Sequence, residues 1–435
     1  MKQVNTSRAT PIAPAPRPEG PLDAFVRSLH LLRTKRFGTF WFASLLSNLG
    51  TWAQQVAEPW LLLALGASPF LIGLDSFAAA APVWLLTLVG GILADKTDRR
   101  RVITICQSIQ MLCPALLVGL LLTGTASPWI VIGLSCIVGI TDALSMPSFS
   151  SIVPSIVERR QIPAALALNA TQFNLSRILG PALAGVLMAS VGAVGCFALN
   201  AASYLPFIWV AIWILPRRER RSPDEEPFDR AHFFAGIRDI ARAPQLRGAL
   251  LTVLVTSMLC GPLIVFCPVL VKSVLQGTVE QFSLGIGAFG VGGLLGATAL
   301  LGVDARRDRR RISSRFAAVY GAIVIAIALN SLFQPLVVLL MLAGVAMTVS
   351  NTSANSLLQT KAPPSLRGRT ASLYMLAMRG GVSVGSLLTG VAVTVLGLRP
   401  ALLINGVLAI ALHVAIGRLW LHSVDERRAD PSFIS

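Results

Sequence analysis

Residues 90–101 read Gly-Gly-Ile-Leu-Ala-Asp-Lys-Thr-Asp-Arg-Arg-Arg, with two glycines and Asp95 ahead of three consecutive arginines. The stretch separates two apolar blocks, near 70–94 and 102–123, each close to the ~20 residues that a helix needs to cross a bilayer. A short charged turn between two such blocks is typical of a loop at a membrane surface. Asp-Arg-Arg-Arg recurs at 308–311. We therefore expect membrane-spanning helices and an internal repeat.

Outward from this loop, twelve apolar blocks follow one another in two groups of six. They lie near 38–64, 70–94, 102–123, 129–150, 164–189, 194–215, 248–273, 282–302, 313–333, 335–358, 370–396 and 400–421. Most of them contain Gly or Pro, which helices in lipid tolerate, and they lack the period-two alternation of a membrane β-barrel. The sequence predicts an all-α integral membrane protein with twelve transmembrane helices.

The composition agrees with this fold class. The chain has 435 residues, of which 54% are hydrophobic and 13% charged, whereas soluble domains contain about 25% charged residues. This excludes a soluble enzyme, a disordered protein and a disulfide-stapled secreted domain. All six cysteines fall within apolar blocks and have no metal-ligand spacing, so we expect them to pack as small hydrophobic residues.

The net charge of +17 is distributed unevenly between the two sides of the predicted membrane. If the N-terminus is cytoplasmic, 33 of the 37 Lys and Arg residues lie in cytoplasmic segments. This positive-inside bias predicts a multi-pass protein of a bacterial-type plasma (inner) membrane, with both termini in the cytoplasm. It also argues against a nucleic-acid partner, because no folded polar domain carries the basic residues.

The blocks define five segments of the chain. They are a Pro-rich cytoplasmic tail at 1–36, which we expect to be disordered, a six-helix half at 37–215, a cytoplasmic linker at 216–247, a second six-helix half at 248–421 and a cytoplasmic tail at 422–435. Pro59 and Pro268, the two Asp-Arg-Arg-Arg loops, and the Gly pairs 180/185 and 385/390 repeat at an offset of about 205–210 residues. Six-helix repeats of equal orientation predict two parallel halves, related by an axis along the membrane normal.

The loop at 90–101 resembles the signature loop of the major facilitator superfamily, apart from Asp98, where that superfamily usually has Gly. Shorter motifs resemble the subgroup of the enterobactin exporter and the transmembrane secretion effector transporters. They are Pro147-Ser148-Phe149, Ile152-Val153-Pro154, Arg177-Ile178-Leu179-Gly180-Pro181 and Arg367-Gly368-Arg369. The resemblance covers about residues 37–421. It implies the major facilitator fold and a cavity lined by the first, fourth, seventh and tenth helices.

The resemblance also implies a cytoplasmic latch between the second and eleventh helices. In the family, the aspartate that corresponds to Asp95 contacts the N-terminus of the eleventh helix, where the helix dipole favours a carboxylate. The residues assigned to this latch are Gly91, Asp95, Arg99, Arg100, Arg367 and Arg369. The alternative is that these charges only set the topology.

Polar residues inside the apolar blocks are the candidate functional groups, because ionisable side chains are costly in lipid. We expect Glu58 or Asp142 to take up a coupling proton, since desolvation opposes the charged form of a carboxylate. The candidate cavity or substrate residues are Asn48, Gln55, Arg177, Asn351, Asn355 and Arg379. The alternative is that the charges pair only to hold helices together. Asp75, near an external helix end, and the isolated His413 are interpreted as structural.

These features favour a proton-coupled exporter of a small hydrophobic or amphipathic molecule, such as a siderophore or drug-like metabolite, working by alternating access. The export direction rests on the resemblance alone. The alternatives are a lysophospholipid carrier and a transporter-fold sensor without net transport. We find no catalytic triad, metal cluster or phosphate-binding loop in the sequence. We therefore expect no enzyme activity, no cofactor or metal and no ATPase subunit, and we expect a monomer whose partners are substrate, protons and lipid.

Overall fold

The computed structural model describes residues 30–215, 243–302, 308–363 and 366–429. Within these ranges, several side chains fall outside the description, including those of 87–92, 94–96 and 367–369. Most of the predicted tail 1–36 and of the linker 216–247 is likewise outside it, as are residues 430–435 of the tail 422–435. The segment assignments there remain predictions.

The described residues form twelve helices and contain no strand, which confirms the predicted fold class. The helices are α1 Lys35–Ala64, α2 Pro69–Lys96, α3 Arg99–Leu122, α4 Pro128–Ser155, α5 162–191, α6 193–213, α7 244–274, α8 Val279–Leu301, α9 Arg309–Leu329, α10 Phe333–Lys361, α11 367–396 and α12 Leu398–Ala429. The predicted spans match them in order. The largest boundary differences are the end of α12, at 429 rather than 421, and the end of α4, at 155 rather than 150.

Nine segments of the described chain are long and apolar enough to cross a membrane by length and hydropathy alone. One of the nine, 164–213, contains both α5 and α6. Polar residues such as Asn48, Gln54, Gln55 and Glu58 lower the hydropathy of α1, so α1 is not among the nine. In α2 only Pro69–Val83 qualifies, as a shorter apolar helix.

The helix ends follow from local chemistry. Asp98 and Asp308 precede α3 and α9, and each accepts a hydrogen bond from the backbone N–H two residues later, at 3.0 Å. This side-chain cap satisfies a donor that the first helical turn leaves free. α5 and α6 are separated by Gly192, which has φ 68°, a conformation that glycine adopts without a steric penalty.

Successive helices run in opposite directions, so their connections lie at two opposite faces of the bundle. The face with connections 65–68, 123–127, 275–278 and 330–332 carries few charges, and we call it the neutral face. The opposite face contains the starts of α3 and α9 with their arginine runs, and we call it the basic face.

The two halves pack closely along α2 with α11 and along α5 with α8. A Cβ added to Gly73 of α2 would lie 2.4 Å from the carbonyl oxygen of Ser386 on α11. A Cβ on Gly185 of α5 would lie 2.7 Å from the carbonyl oxygen of Ser283 on α8. These contacts lie towards the neutral face. They require glycine, because any side chain would force the helix backbones apart.

The distribution of the apolar core shows on which side the halves meet. Near the neutral face, one buried cluster runs through both halves, from Leu62 and Phe197 to Phe266, Phe282 and Tyr320. Near the basic face the buried residues form two separate clusters, one in each half. Among the described side chains, apolar packing thus joins the halves at the neutral face but not at the basic face.

An aromatic contact reinforces this closure at the neutral face. The ring of Trp60 on α1 stacks on Phe282 of α8, with centroids 4.8 Å apart and planes 23° apart. The ammonium group of Lys272 on α7 lies 5.9 Å from the centre of the Trp60 ring. We call Trp60, Phe282 and Lys272 the aromatic clamp; it joins the first half to the second.

Candidate functional site

An ion pair connects the two halves near mid-membrane. Arg379 of α11 donates from Nη1 to Oδ2 of Asp142 on α4 at 3.4 Å. Its guanidinium group also lies 5.9 Å from the centre of the Phe173 ring on α5. Asp142 and Phe173 belong to the first half and Arg379 to the second, so each of these contacts crosses between the halves.

The backbone of α11 is irregular where it presents this arginine. Residues Leu376–Gly380 form a π-helical turn, a feature that is frequent at functional sites and adds a residue to the turn. Another π-helical turn, Thr256–Cys260, lies in α7, which crosses α11 closely: a Cβ on Gly385 would lie 1.9 Å from the carbonyl oxygen of Met258. The turn therefore aims Arg379 at the first half while α11 stays packed on α7.

Asp142 is held from its own half as well. The Nε2 group of Gln110 on α3 donates to Asp142 Oδ1 at 2.9 Å, and Gln107 in turn donates to Gln110 at 2.8 Å. The side chains of Asp142 and Arg379 remain 43% and 34% exposed. The pair is thus fixed in position but accessible, which allows a proton or a ligand to reach it.

Glu58 takes part in a different network, inside the first half. The Ser135 hydroxyl of α4 donates to Glu58 Oε1, and Gln54, one turn earlier on α1, also hydrogen-bonds to this carboxyl. Asn200 of α6 donates from Nδ2 to Gln54 Oε1 at 2.6 Å. Glu58 is one of the candidate residues predicted from the sequence, whereas Ser135, Gln54 and Asn200 were not predicted.

The polar groups of α1 continue this network towards Asp142. Thr51 Oγ1 lies 3.5 Å from Asn200 Oδ1 and 3.3 Å from the Tyr204 hydroxyl. Tyr204 lies close enough to Asp142 for an electrostatic interaction between the two side chains. α1 and α6 approach closely at Gly50, whose added Cβ would lie 2.4 Å from the Ser203 hydroxyl oxygen.

Asp75 belongs to the same region. Its side chain is buried on α2, at 6% exposure, and it interacts electrostatically with Glu58. The position near the start of α2 is as expected, and the interpretation of Asp75 as a structural residue stays a prediction. Its proximity to Glu58 was not predicted.

Arg177 does not share the contacts of Arg379. It is buried on α5, and its Nη1 group lies 3.1 Å from the sulfur of Met378, the residue before Arg379. A thioether is a weak acceptor, so this contact adds little to the pairing of the halves. The two arginines are nevertheless neighbours at the junction of α5 and α11.

The remaining predicted cavity residues are spread over two helices. Gln55 is exposed and Asn48 half-buried on α1, while Asn355 is half-buried on α10. Asn351 is buried, and its Oδ1 atom has no hydrogen-bond partner among the described residues. No contact in the described part of the chain joins these residues to the ion pair, so their role in a cavity remains a prediction.

The predicted latch can be followed only in part. The side chains of Gly91, Asp95, Arg367 and Arg369 lie outside the described residues. Arg99 is half-buried at the start of α3. Arg100 donates from Nη2 to the backbone carbonyl of Ile212 at the end of α6, so its described contact lies within the first half.

No group of three or more His, Cys, Asp or Glu side chains in the described ranges has the arrangement of a metal site. The six cysteines are unpaired thiols. His413 is buried on α12, with its Nε2 atom 3.1 Å from the Thr256 hydroxyl of α7. This bond lies within the second half.

A family described as transmembrane secretion effector matches residues 27–433 of the chain. The staphyloferrin A transporter of Staphylococcus aureus is 25% identical over 86% of this chain and 93% of its own length. The multidrug efflux pump Tap of Mycolicibacterium fortuitum is 27% identical over 85% and 94%. The enterobactin exporter EntS of Salmonella choleraesuis is 25% identical over 84% and 88%.

Solved structures show the same fold at much lower identity. The nucleoside transporter NupG aligns with a TM-score of 0.69 at 12% identity, covering 89% of this chain and 99% of its own. A bacterial homologue of the lysosomal transporter Spinster, in an inward-facing and occupied conformation, aligns with a TM-score of 0.67 at 16% identity, covering 91% and 97%.

Proposed function

Because the chain belongs to the transmembrane secretion effector family of major facilitator transporters, we propose that it exports a small amphipathic molecule in exchange for protons. A membrane transporter of this superfamily moves its substrate by rocking two halves about a site between them. The substrate class, the direction and the coupling ion are the parts that we propose.

The substrate class is inferred from relatives and from charge. Staphyloferrin A and enterobactin appear in the names of two relatives, and a third is named as a multidrug pump. Arg177 and Arg379 place positive charge at the junction of the halves, where it would attract an anionic group. An anionic, partly apolar siderophore satisfies both the relatives and the charges, and drug-like metabolites are the wider class.

The observation that carries the proposal is the ion pair between Asp142 and Arg379. It joins the halves while both groups remain partly exposed. A substrate whose polar groups bind the ionised pair would compete with a proton for Asp142. A proton that binds from the outside would then release the substrate, and loss of this proton to the cytoplasm would make the pair available again. Such competition for one carboxylate couples proton entry to substrate export.

We infer the direction of transport from the exporters among the relatives, and the topology agrees with it. The basic face carries the arginine runs, so the positive-inside rule assigns it to the cytoplasm, with both termini on that side. In the part of the chain that the structure describes, apolar packing joins the halves at the neutral face but not at the basic face. This conformation would receive a cytoplasmic substrate. The chain acts alone in this scheme, as a monomer in the plasma membrane with no ATPase subunit.

The test measures uptake into inverted membrane vesicles driven by an imposed pH gradient, with enterobactin and the fluorescent cation ethidium as probes. The wild-type protein should accumulate enterobactin, and a protonophore should abolish the accumulation. Asp142→Asn should lower gradient-driven uptake by about 5- to 150-fold, the range of typical conformational couplings. The matched control is Glu280→Gln, which removes an exposed carboxylate in the first turn of α8, and it should transport normally.

A double variant tests whether uptake requires the charge pair itself or whether a single substitution only damages the protein. Exchanging the partners, with Asp142→Arg and Arg379→Asp together, should recover part of the uptake that Arg379→Asp alone loses. Uptake that survives the protonophore would disprove proton coupling. Preference for ethidium over enterobactin would place the chain among drug pumps. Binding of either probe without flux would favour a sensor.

A further inference from the structure

Asp75 is a buried acid that the ion-pair scheme does not use. It lies on the second turn of α2, and its Oδ1 atom has no hydrogen-bond partner among the described residues. Its side chain faces α4, because Ala79, one turn later on α2, lies against Gly139, one turn after Ser135 on α4: a Cβ on Gly139 would lie 2.2 Å from the Ala79 carbonyl oxygen. Glu58 on α1 interacts with it electrostatically. A buried carboxylate oxygen without a donor is costly, so this position requires a physical explanation.

The number of hydrogen-bond donors near Asp75 provides a physical explanation for its unpaired oxygen. Ser135 lies between the two acids, bonded to Glu58 Oε1 and within reach of Asp75. A hydroxyl has only one proton to donate, and ionised carboxylates donate none. The Ser135 proton is directed at Glu58 or at the Val131 carbonyl, 3.0 Å away. One further proton, carried by either acid, would supply the missing donor.

Electrostatic repulsion between the two acids also indicates that one proton is bound between them. Two carboxylates that share a site cannot both be ionised without strong mutual repulsion, so such pairs hold a single proton between them. Gln54 hydrogen-bonds to Glu58 and is itself held by Asn200, which fixes the position of the Glu58 carboxyl group.

We propose that Glu58 and Asp75 share one proton and that Asp75 is therefore a second proton-binding carboxylate of the transporter. The inference deepens the proposed function and rests on it for its role in coupling. The proton-sharing itself does not depend on the substrate. It assigns Asp75 a role that neither the motifs nor the helix pattern of the sequence indicated.

Charged groups on the surrounding helices are few. α1 contributes Glu58, α4 contributes Asp142 two turns beyond Ser135, and α11 contributes Arg379, which Asp142 already pairs. α7 contributes Lys272, which lies over the Trp60 ring. No cation among the described residues forms a salt bridge with Glu58 or Asp75, so a proton is the positive charge that can neutralise the pair.

The test counts protonated carboxyl groups by infrared difference spectroscopy on the purified, full-length protein at neutral pH. The wild-type spectrum should contain the carbonyl band of one shared carboxylic acid. Glu58→Gln and Asp75→Asn should each keep one carbonyl band at a shifted frequency, because burial keeps the remaining acid protonated. The double variant should have no such band. Glu280→Gln should leave the wild-type band unchanged, since Glu280 is exposed at the start of α8.

Three results would overturn the inference. They are a wild-type spectrum without a carboxylic acid band, two wild-type bands of which each single variant loses one, and a band that keeps the wild-type frequency in Asp75→Asn. Thermal unfolding of each variant checks that it is folded, and Asp75→Glu, which keeps the acid, should retain the shared band.

Transport distinguishes this inference from the proposed function. In the vesicle assay, Asp75→Asn should lose most of its pH-driven enterobactin uptake. A shared band in a protein that transports neither probe would support the proton pair and refute the exporter. Proton-driven uptake that is unchanged in Asp75→Asn would refute the role of Asp75 in coupling.

Discussion

In the first half, Glu58 precedes Pro59 on α1; in the second half, Cys267 precedes Pro268 at the repeat-equivalent position on α7. Asp75 on α2 corresponds in the same way to Gly285 on α8, at the 210-residue offset that relates Asp98 to Asp308. The backbone plan is therefore repeated, whereas the acids are not.

The second half fills these positions with apolar packing. Cys267 is completely buried in the core cluster of the neutral face. A Cβ on Gly285 would lie 2.9 Å from a methyl group of Leu340, so the space of the missing side chain is occupied. The spans 248–273 to 400–421 of this half contain no acid, and Glu280, at the start of α8, lies outside them.

The two halves therefore contribute different charged groups to the candidate site. The first half holds three intramembrane acids, Glu58, Asp75 and Asp142, and the second half presents one arginine, Arg379, to one of them. A repeat fixes where helices cross and end, as the identical caps of Asp98 and Asp308 show. It leaves the polar groups free to differ, and in this protein the difference accounts for the candidate mechanism.

The largest expected effect comes from making the halves alike. Cys267→Glu would place an acid at a fully buried position without donors, and a charged residue at a helix centre costs about 2.5–3.5 kcal/mol on insertion scales. We expect little folded protein in the membrane, measured by fluorescence-detected gel filtration. Cys267→Ser is the control of similar size and should accumulate normally. Normal accumulation of Cys267→Glu would mean that the second half tolerates acids as the first half does.

The sequence predicted the fold far better than the site. Twelve spans, their order and their repeat follow from apolar blocks of bilayer length, because lipid requires each backbone polar group to be satisfied within a helix. The break between α5 and α6 at Gly192 lies within the predicted gap between 189 and 194, because this gap separates two apolar blocks of bilayer length. Span boundaries were less accurate, since α12 continues beyond its apolar part as a helix.

The site was predicted only as a set of candidates. The polar stripe Asn48, Thr51, Gln55 and Glu58 follows from helical spacing, but the structure gives its members different surroundings: Thr51 faces α6, Glu58 faces α4 and Gln55 is exposed. A sequence does not state how far each helix is rotated about its axis. That rotation decides that Asp142 meets Arg379, 237 residues away, and that Asp75 lies beside Glu58.

A smaller effect is expected where the halves touch. Gly73→Ala would press a methyl group against the Ser386 carbonyl, and such overpacking costs typically about 1–3 kcal/mol. Because this contact exists only while the neutral face is closed, the change should favour the state open at that face. Spin labels at Thr125→Cys and Gln334→Cys, in a background without the native cysteines, should show a longer distance.

Gly119→Ala is the matched control for this prediction. Gly119 is also a helical glycine of the first half, but a Cβ there would meet no atom within 4 Å. The label distances should therefore equal those of the parent protein. An equal shift in both variants would show that helix stiffness, rather than the contact between α2 and α11, controls the closure.

The smallest effect concerns the aromatic clamp, the one described cross-half contact in which Lys272 takes part. Trp60→Ala removes the stacked ring and the surface beneath the ammonium group, and an aromatic pair contributes about 0.5–1.5 kcal/mol beyond its buried area. The same label pair should report a partial shift towards the state open at the neutral face, smaller than that of Gly73→Ala. Trp129→Ala, at a tryptophan 64% exposed in the first turn of α4, should leave the distances unchanged. A larger shift for Trp60→Ala than for Gly73→Ala would mean that side-chain stacking, rather than backbone approach at glycine, holds the halves together.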